Sequence, residues 1–162
     1  MLRSTGVPEP EDLKAVMPTE QRLAKGAVAV IECFQKIPCN PCASACPRGA
    51  IKPFEDINDL PEIDHERCNG CAICVANCPG LAISVVDMTY GEMTALVKIP
   101  YEYLPLPEVG ETVAALNRAG EQIGEAIVKQ VQRPAAFDRT AVVHLEVPRA
   151  LAHDVRNIRV GR

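Results

Sequence analysis

Hydrophobic positions in this chain fall into short, separated runs rather than long helical stripes. The first 18 residues carry Pro8, Pro10 and Pro18 and little periodicity, which predicts an extended arm that wraps a neighbour or frays. Residues 19–25 have room for one or two helical turns, with Thr19 as N-cap and Gly26 as the stop. The β-branched run over 27–32 then predicts a strand. From Met93 onward, apolar runs at 94–101, 112–116, 122–132 and 140–147 alternate with turn residues such as Pro105, Pro107, Gly110, Gly120 and Pro134, the pattern of a small β-rich module. Leu151, Val155 and Ile158 recur at helical spacing, so residues 149–158 are expected to close the chain as a helix or arm.

Between these stretches lies an internal repeat. Ile31-Glu32, followed by cysteines that close in Cys46-Pro47-Arg48-Gly49-Ala50-Ile51, is echoed about 32 residues later by Ile63-Asp64 and cysteines that close in Cys78-Pro79-Gly80-Leu81-Ala82-Ile83. Each half reads as a strand, a cysteine loop, a single helical turn stopped by Cys-Pro, and a return strand at 50–54 or 82–87. The expected organisation is an N-terminal arm with a short helix (1–26), a pseudo-symmetric α+β unit (27–87) and a β-rich module ending in a helix or arm (88–162).

Composition narrows the chemistry. Apolar residues make up 48 % and charged residues 23 % of the 162 positions, the balance of a globular protein that can bury a core. Aromatics at 4 % with no tryptophan, and a formal charge of −4, argue against a nucleic-acid partner. That charge is not spread evenly. Basic and acidic residues number 4 and 4 in 1–26, 4 and 8 in 27–87, and 9 and 9 in 88–162, so the surplus of negative charge sits in the middle segment.

The middle segment also holds all eight cysteines, Cys33 to Cys78. The first residues contain no apolar core of the kind a secretion signal needs, and no apolar run approaches the length of a membrane span. A reducing cytoplasmic setting is therefore expected, in which metal ligation outranks cross-linking.

The second half spaces its thiols as Cys68-x2-Cys71-x2-Cys74-x3-Cys78-Pro79, a run that matches bacterial ferredoxin-type ligation of iron–sulfur clusters. The first half reads Cys33-x5-Cys39-x2-Cys42-x3-Cys46-Pro47. Lys36 stands where the first ligand is expected, and an ammonium cannot replace a soft thiolate. Cys33 is expected to return over an outward bulge of 34–38, stiffened by Pro38 and Pro41. Between the cysteines lie Ala43, Ala45, Ala72, Ile73, Val75 and Ala76, small or apolar residues suited to excluding water while letting backbone N–H groups approach sulfur. Structural zinc on paired Cys-x2-Cys knuckles and disulfides are the alternatives; the triple spacing with two Cys-Pro endings fits iron–sulfur better.

Residues 27–87 resemble the two-cluster bacterial-type ferredoxin. That resemblance implies a βαβ-βαβ arrangement, two [4Fe–4S] clusters and one-electron transfer between partner proteins. It also implies crossed ligation: cluster one on Cys68, Cys71, Cys74 and the distant Cys46, cluster two on Cys33, Cys39, Cys42 and the distant Cys78. The phrase Ile37-Pro38-Cys39-Asn40-Pro41-Cys42, with Cys46 to Ile51, is also similar to small iron–sulfur subunits of flavin-dependent dehydrogenases that oxidise amino or hydroxy acids. The function implied is a non-catalytic electron-transfer subunit of an oxidoreductase complex, partnered by a flavoprotein in a hetero-oligomer without a membrane span. A freely diffusing carrier and an iron–sulfur redox sensor are the alternatives.

The remaining candidates carry less. His65 is expected on a solvated loop, and His144 and His153 are assigned no function. No nucleophile–base grouping, phosphate loop or paired-carboxylate signature stands out, and Gly120 and Gly124 lack a strand-to-helix context. The acidic stretch Glu55, Asp56, Asp59, Glu62, Asp64 and Glu66 reads as a solvated face, or as a surface that steers a basic redox partner.

Overall fold

The computed structural model describes residues 2–161. Its frame is one antiparallel sheet of seven strands: β1 (Val28–Ile31), β2 (Ile83–Asp87), β3 (Thr94–Tyr101), β4 (Thr112–Leu116), β5 (Gln122–Gln132), β6 (Ala141–Pro148) and β7 (Asn157–Arg159). They lie in the order β1-β2-β3-β6-β5-β4-β7. The pairing of β2 with β3, Val86 opposite Val97, carries the sheet without a break past residue 88.

The sheet curls. One apolar cluster takes residues from every strand, from Val30 on β1 through Val97, Val113, Val128 and Leu145 to Ile158 on β7. The two edges meet at Glu32, next after β1, which binds Arg156 Nε, just before β7, at 2.8 Å. Arg118, after β4, reaches the same carboxylate with Nε and Nη2 at 2.8 and 2.7 Å. The result is an open barrel whose seam is bridged by one ion triad of side chains.

Burial along the strands follows from what covers each face. β3 alternates, with Ala95, Val97, Ile99 and Tyr101 inside the barrel. β1 and the first four residues of β2 are buried on both faces, because the cysteine-bearing segment lies over their outer side. Ala29, Ile31, Ile83 and Val85 therefore belong to a second apolar core, shared with Phe137 and Val142. Strands covered on both sides read as unbroken apolar runs, as the sequence does at 27–31.

Three expectations are corrected. Over residues 2–18 the expected extended arm is replaced by helices α1 (Leu2–Thr5) and α2 (Pro10–Val16). Pro10 starts α2 rather than opposing it, since the first helical position needs no N–H, and Asp12 accepts from the Glu9 amide at 2.9 Å. The return strand at 50–54 reduces to a single bridge, Ile51 opposite Ile63. Pro53 and Pro61 flank it and cannot donate to a ladder. Residues 149–158 are a single 3-10 turn (Arg149–Leu151) followed by β7, and the apolar spacing seen there serves the barrel core instead. Helix α3 (Glu20–Leu23) forms where expected, with the Thr19 hydroxyl accepting from the Arg22 amide at 3.2 Å.

Candidate metal centres

The eight cysteines, all free thiols, lie in one layer over the outer face of β1, β2, β3 and β6. Two single-turn helices shape it, α4 (Pro41–Ala45) and α5 (Ile73–Asn77), which pack against each other. Each stops at a Cys-Pro pair, because a residue before proline is driven out of the helical region: Cys46 and Cys78 take ψ of 106° and 110°. The chain then turns back by the same route in both halves. Gly49 and Leu81, each three residues past the cysteine, have φ of 59° and 52°. The amide one residue later folds onto the sulfur, Ala50 N to Cys46 Sγ at 3.3 Å and Ala82 N to Cys78 Sγ at 3.4 Å.

The thiols surround two separate cavities. One is lined by Cys46, Cys68, Cys71 and Cys74. The other is lined by Cys33, Cys39, Cys42 and Cys78. Membership is crossed: Cys46 sits with the second motif and Cys78 with the first. Apolar side chains complete the walls, Ile51 and Ala72 in the first cavity, Phe54 and Ile83 in the second. Among the described residues no three Cys, His, Asp or Glu side chains converge as a single-ion site requires. A structural zinc ion needs four donors about 2.0–2.3 Å from one point. Two rings of four soft donors around dry hollows suit a polynuclear iron–sulfur group instead.

Electrostatics follow the same division. Burial, reinforced by Cys68, Cys71 and Cys46, pushes the Cys74 thiol up to about 12. Cys42 rises to about 11, chiefly through burial, with Cys78, Cys39 and Cys33 adding to it. Burial also raises Cys33. Burial would raise Cys46 too, but the backbone N–H groups of Ile51, Arg48, Ala50 and Gly49 outweigh it and bring this thiol below its ordinary value. Four clustered thiols cannot ionise together in a dry layer unless a cation replaces their protons.

The first cavity has supports that sequence reasoning missed. Arg22, 5 % exposed, donates to four carbonyls: His65 O at 2.6 Å, Cys68 O at 2.6 Å, Ala27 O at 2.9 Å and Gly26 O at 3.0 Å. The guanidinium thereby ties α3 and the start of β1 to the Cys68 loop. Gly70 has φ of 69°, and a Cβ there would sit 2.4 Å from Ala27 Cβ. Its amide and that of Ala29 both donate to Cys68 Sγ at 3.4 Å, and its carbonyl accepts from Lys98 Nζ at 2.8 Å. Neither contact with the Cys68 loop carries a local signal, since Arg22 reaches His65 O and Cys68 O across 43 and 46 residues and Lys98 reaches Gly70 O across 28.

His65 is not the solvated residue expected. It is half-buried, with Nε2 buried and without a partner, and burial beside Arg22 lowers its pKa. His144 is buried against Gln132 Oε1 at 2.9 Å and is depressed to about 4 by burial and by Lys98. His153 lends its carbonyl to Arg118 Nη2 at 2.7 Å. The acidic residues lie towards the surface, Glu55, Asp59 and Glu62 near Phe54 of the second cavity and Asp64 and Glu66 on the loop that leads to Cys68, and two of them pair with lysines, Glu62 with Lys52 and Glu66 with Lys25.

Comparison with known proteins finds likeness in the cysteine-bearing segment. The 4Fe-4S dicluster domain family matches residues 37–82. The chain is 44 % identical over 59 residues to one of the proteins of the ion-translocating oxidoreductase complex of Methanosarcina acetivorans, 36 % of this chain and 20 % of that protein. It is 44 % identical over 50 residues to the pyruvate synthase subunit PorD of Methanocaldococcus jannaschii, 31 % of this chain and 56 % of that one. The thiosulfate reductase electron transfer subunit PhsB of Salmonella typhi is 41 % identical over 51 residues, 28 % and 26 %. The match thus spans between about a fifth and just over half the length of these relatives. No solved structure matches.

Proposed function

We propose that this chain, which carries a ferredoxin-type 4Fe-4S dicluster domain over residues 37–82, is an electron-transfer subunit of a multi-subunit oxidoreductase. Cys46, Cys68, Cys71 and Cys74 hold one [4Fe–4S] cluster, and Cys33, Cys39, Cys42 and Cys78 hold the other. The observation that carries this reading is the four-and-four distribution of the cysteines around two cavities, with the last thiol of each motif in the other's ring. Each cluster, when bound, accepts and releases one electron at a time. The protein supplies thiolates, dry walls of Ile51, Ala72, Phe54 and Ile83, and N–H donors from Ala29, Ala50, Gly70 and Ala82 that spread charge on the sulfurs. The βαβ-βαβ reading of 27–87 has support in β1, α4, α5 and β2, with the bridge of Ile51 to Ile63 standing for the second strand pair.

Residues 88–162 serve as a docking module in this reading. They add five strands to the sheet and expose Met93, Tyr103, Leu104 and Val109, apolar side chains suited to a partner protein. The relatives named above include members of three different oxidoreductase complexes, which favours a bound subunit over a free carrier. A flavoprotein is the partner we assign, in a cytoplasmic setting where cysteines are kept reduced and open to metal ligation.

Anaerobic purification tests the proposal. We expect about eight iron and about eight sulfide per chain, and magnetic interaction between two reduced centres in low-temperature paramagnetic resonance. Co-elution with a flavin-containing protein from the native host is expected in the same preparation. A folded, colourless, iron-free chain refutes the cluster assignment; a loaded monomer without partners refutes the subunit assignment and leaves the carrier.

A further inference from the structure

We infer, building on the two-cluster reading above, that Lys98 holds the cluster within Cys46, Cys68, Cys71 and Cys74 at a higher reduction potential than the cluster within Cys33, Cys39, Cys42 and Cys78. An electron shared between them then rests on the first.

Lys98 belongs to β3, on the face opposite Val97 and Ile99, and so points into the cysteine layer rather than the barrel. Its ammonium is anchored by Gly70 O at 2.8 Å, and the amide of that glycine donates to Cys68 Sγ at 3.4 Å. The charges that act on it are those of Cys71, Asp87 and Cys68. Its cross-strand neighbours, Val85 and His144, bring no negative charge. Arg22 adds a second cation at the Cys68 carbonyl, matched by carbonyl oxygens alone.

The second cavity is placed differently. The arginines nearest the Cys33 and Cys78 loops, Arg118 and Arg156, are balanced by Glu32 and Asp154. On its outer side, past Phe54, lie surface charges of both signs, Glu55, Asp59 and Glu62 with Lys36 and Lys52, of which Lys52 pairs with Glu62. A fixed cation favours the reduced, more negative state of the centre beside it, and surplus carboxylates disfavour it. The chain thus places a half-buried, anchored cation at one ring and only surface charges of both signs beside the other.

Redox titration followed by paramagnetic resonance, with dithionite as reductant, tests this in the loaded protein. Lys98→Gln keeps a donor for Gly70 O and removes the charge. We expect the reduced-to-oxidised ratio of one centre to fall about tenfold at fixed potential, a shift of about 59 mV for one electron, while the other centre holds. Lys98→Arg restores the wild-type value. Asp87→Asn, which removes a carboxylate that opposes Lys98, shifts the same centre upward, and does so even if Lys98→Gln loses iron. The Cys33→Ala background, carrying only the first centre, identifies which one moves. Potentials unmoved by both the Gln and Asn variants, equal shifts in both centres, or a shift confined to the Cys33 centre overturn the inference. Two intact clusters with unmoved potentials sink the role of Lys98 alone, whereas an iron-free protein sinks the functional reading beneath it.

Discussion

Replacing Glu32 with glutamine tests how the barrel is closed. The carboxylate is 12 % exposed, each guanidinium facing it is 11 % exposed, and three bonds of 2.7–2.8 Å join them. Burial alone would raise this carboxyl, but bonding to Arg118 and the charges of both arginines outweigh it, and its folded pKa lies below 4.5. Removing one member of a buried pair typically costs about 3–5 kcal/mol, because the surviving charge stays buried. Glutamine retains one acceptor oxygen and the shape, so the lower end applies, about 3 kcal/mol. For a chain of this length that is a fall in Tm of roughly 6–12 °C. Thermal unfolding of the anaerobic holoprotein, followed by far-ultraviolet circular dichroism at pH 7, measures it. The sign with pH is fixed: the Glu32 contribution is complete above its unfolded pKa of 4.5 and is lost as pH falls through the lower folded value, so wild type and Glu32→Gln converge in acid. A difference of less than about 1 °C at pH 7, or one independent of pH, would show that the triad does not fasten the seam.

Other outcomes are equally specific. Cys33→Ala removes one donor from the second cavity only, and iron content is expected to fall from about eight to about four per chain with loss of magnetic interaction; full loading would mean that the detour over 34–38 is not used. Gly70→Ala drives a Cβ to 2.4 Å from Ala27 Cβ and 2.9 Å from its backbone carbon. Loss of the Cys68-side cluster with retention of the other is expected by iron analysis and resonance, and Ala27→Gly rescues it only in part. His144, depressed to about 4 in the folded chain against 6.5 unfolded, makes stability fall by about 3 kcal/mol as pH drops from 6.5 to 4. Urea titrations across that range should show this slope, and His144→Gln should flatten it.

Much of this molecule is written locally. The spacing of the thiols, the Cys-Pro stops, the Thr19 cap and the strand bounds at 94–101, 112–116 and 122–132 are each set by neighbours within a few residues, where rotamers, capping and side-chain alternation act. Local reading misled where one signal serves two structures. Pro10 marks an arm or a first helical turn equally well. Leu151, Val155 and Ile158 repeat as a helix would, yet each fills the barrel from a turn or short strand. The continuity of the sheet past residue 88, the meeting of its edges at Glu32, the hold of Arg22 on the Cys68 loop and the placing of Lys98 under Gly70 were decided only by tertiary structure. The last three join residues 28 to 124 positions apart. Such pairs meet because burial of a common core brings them together, and a buried charge must then find whatever opposite charge or carbonyl lies within reach.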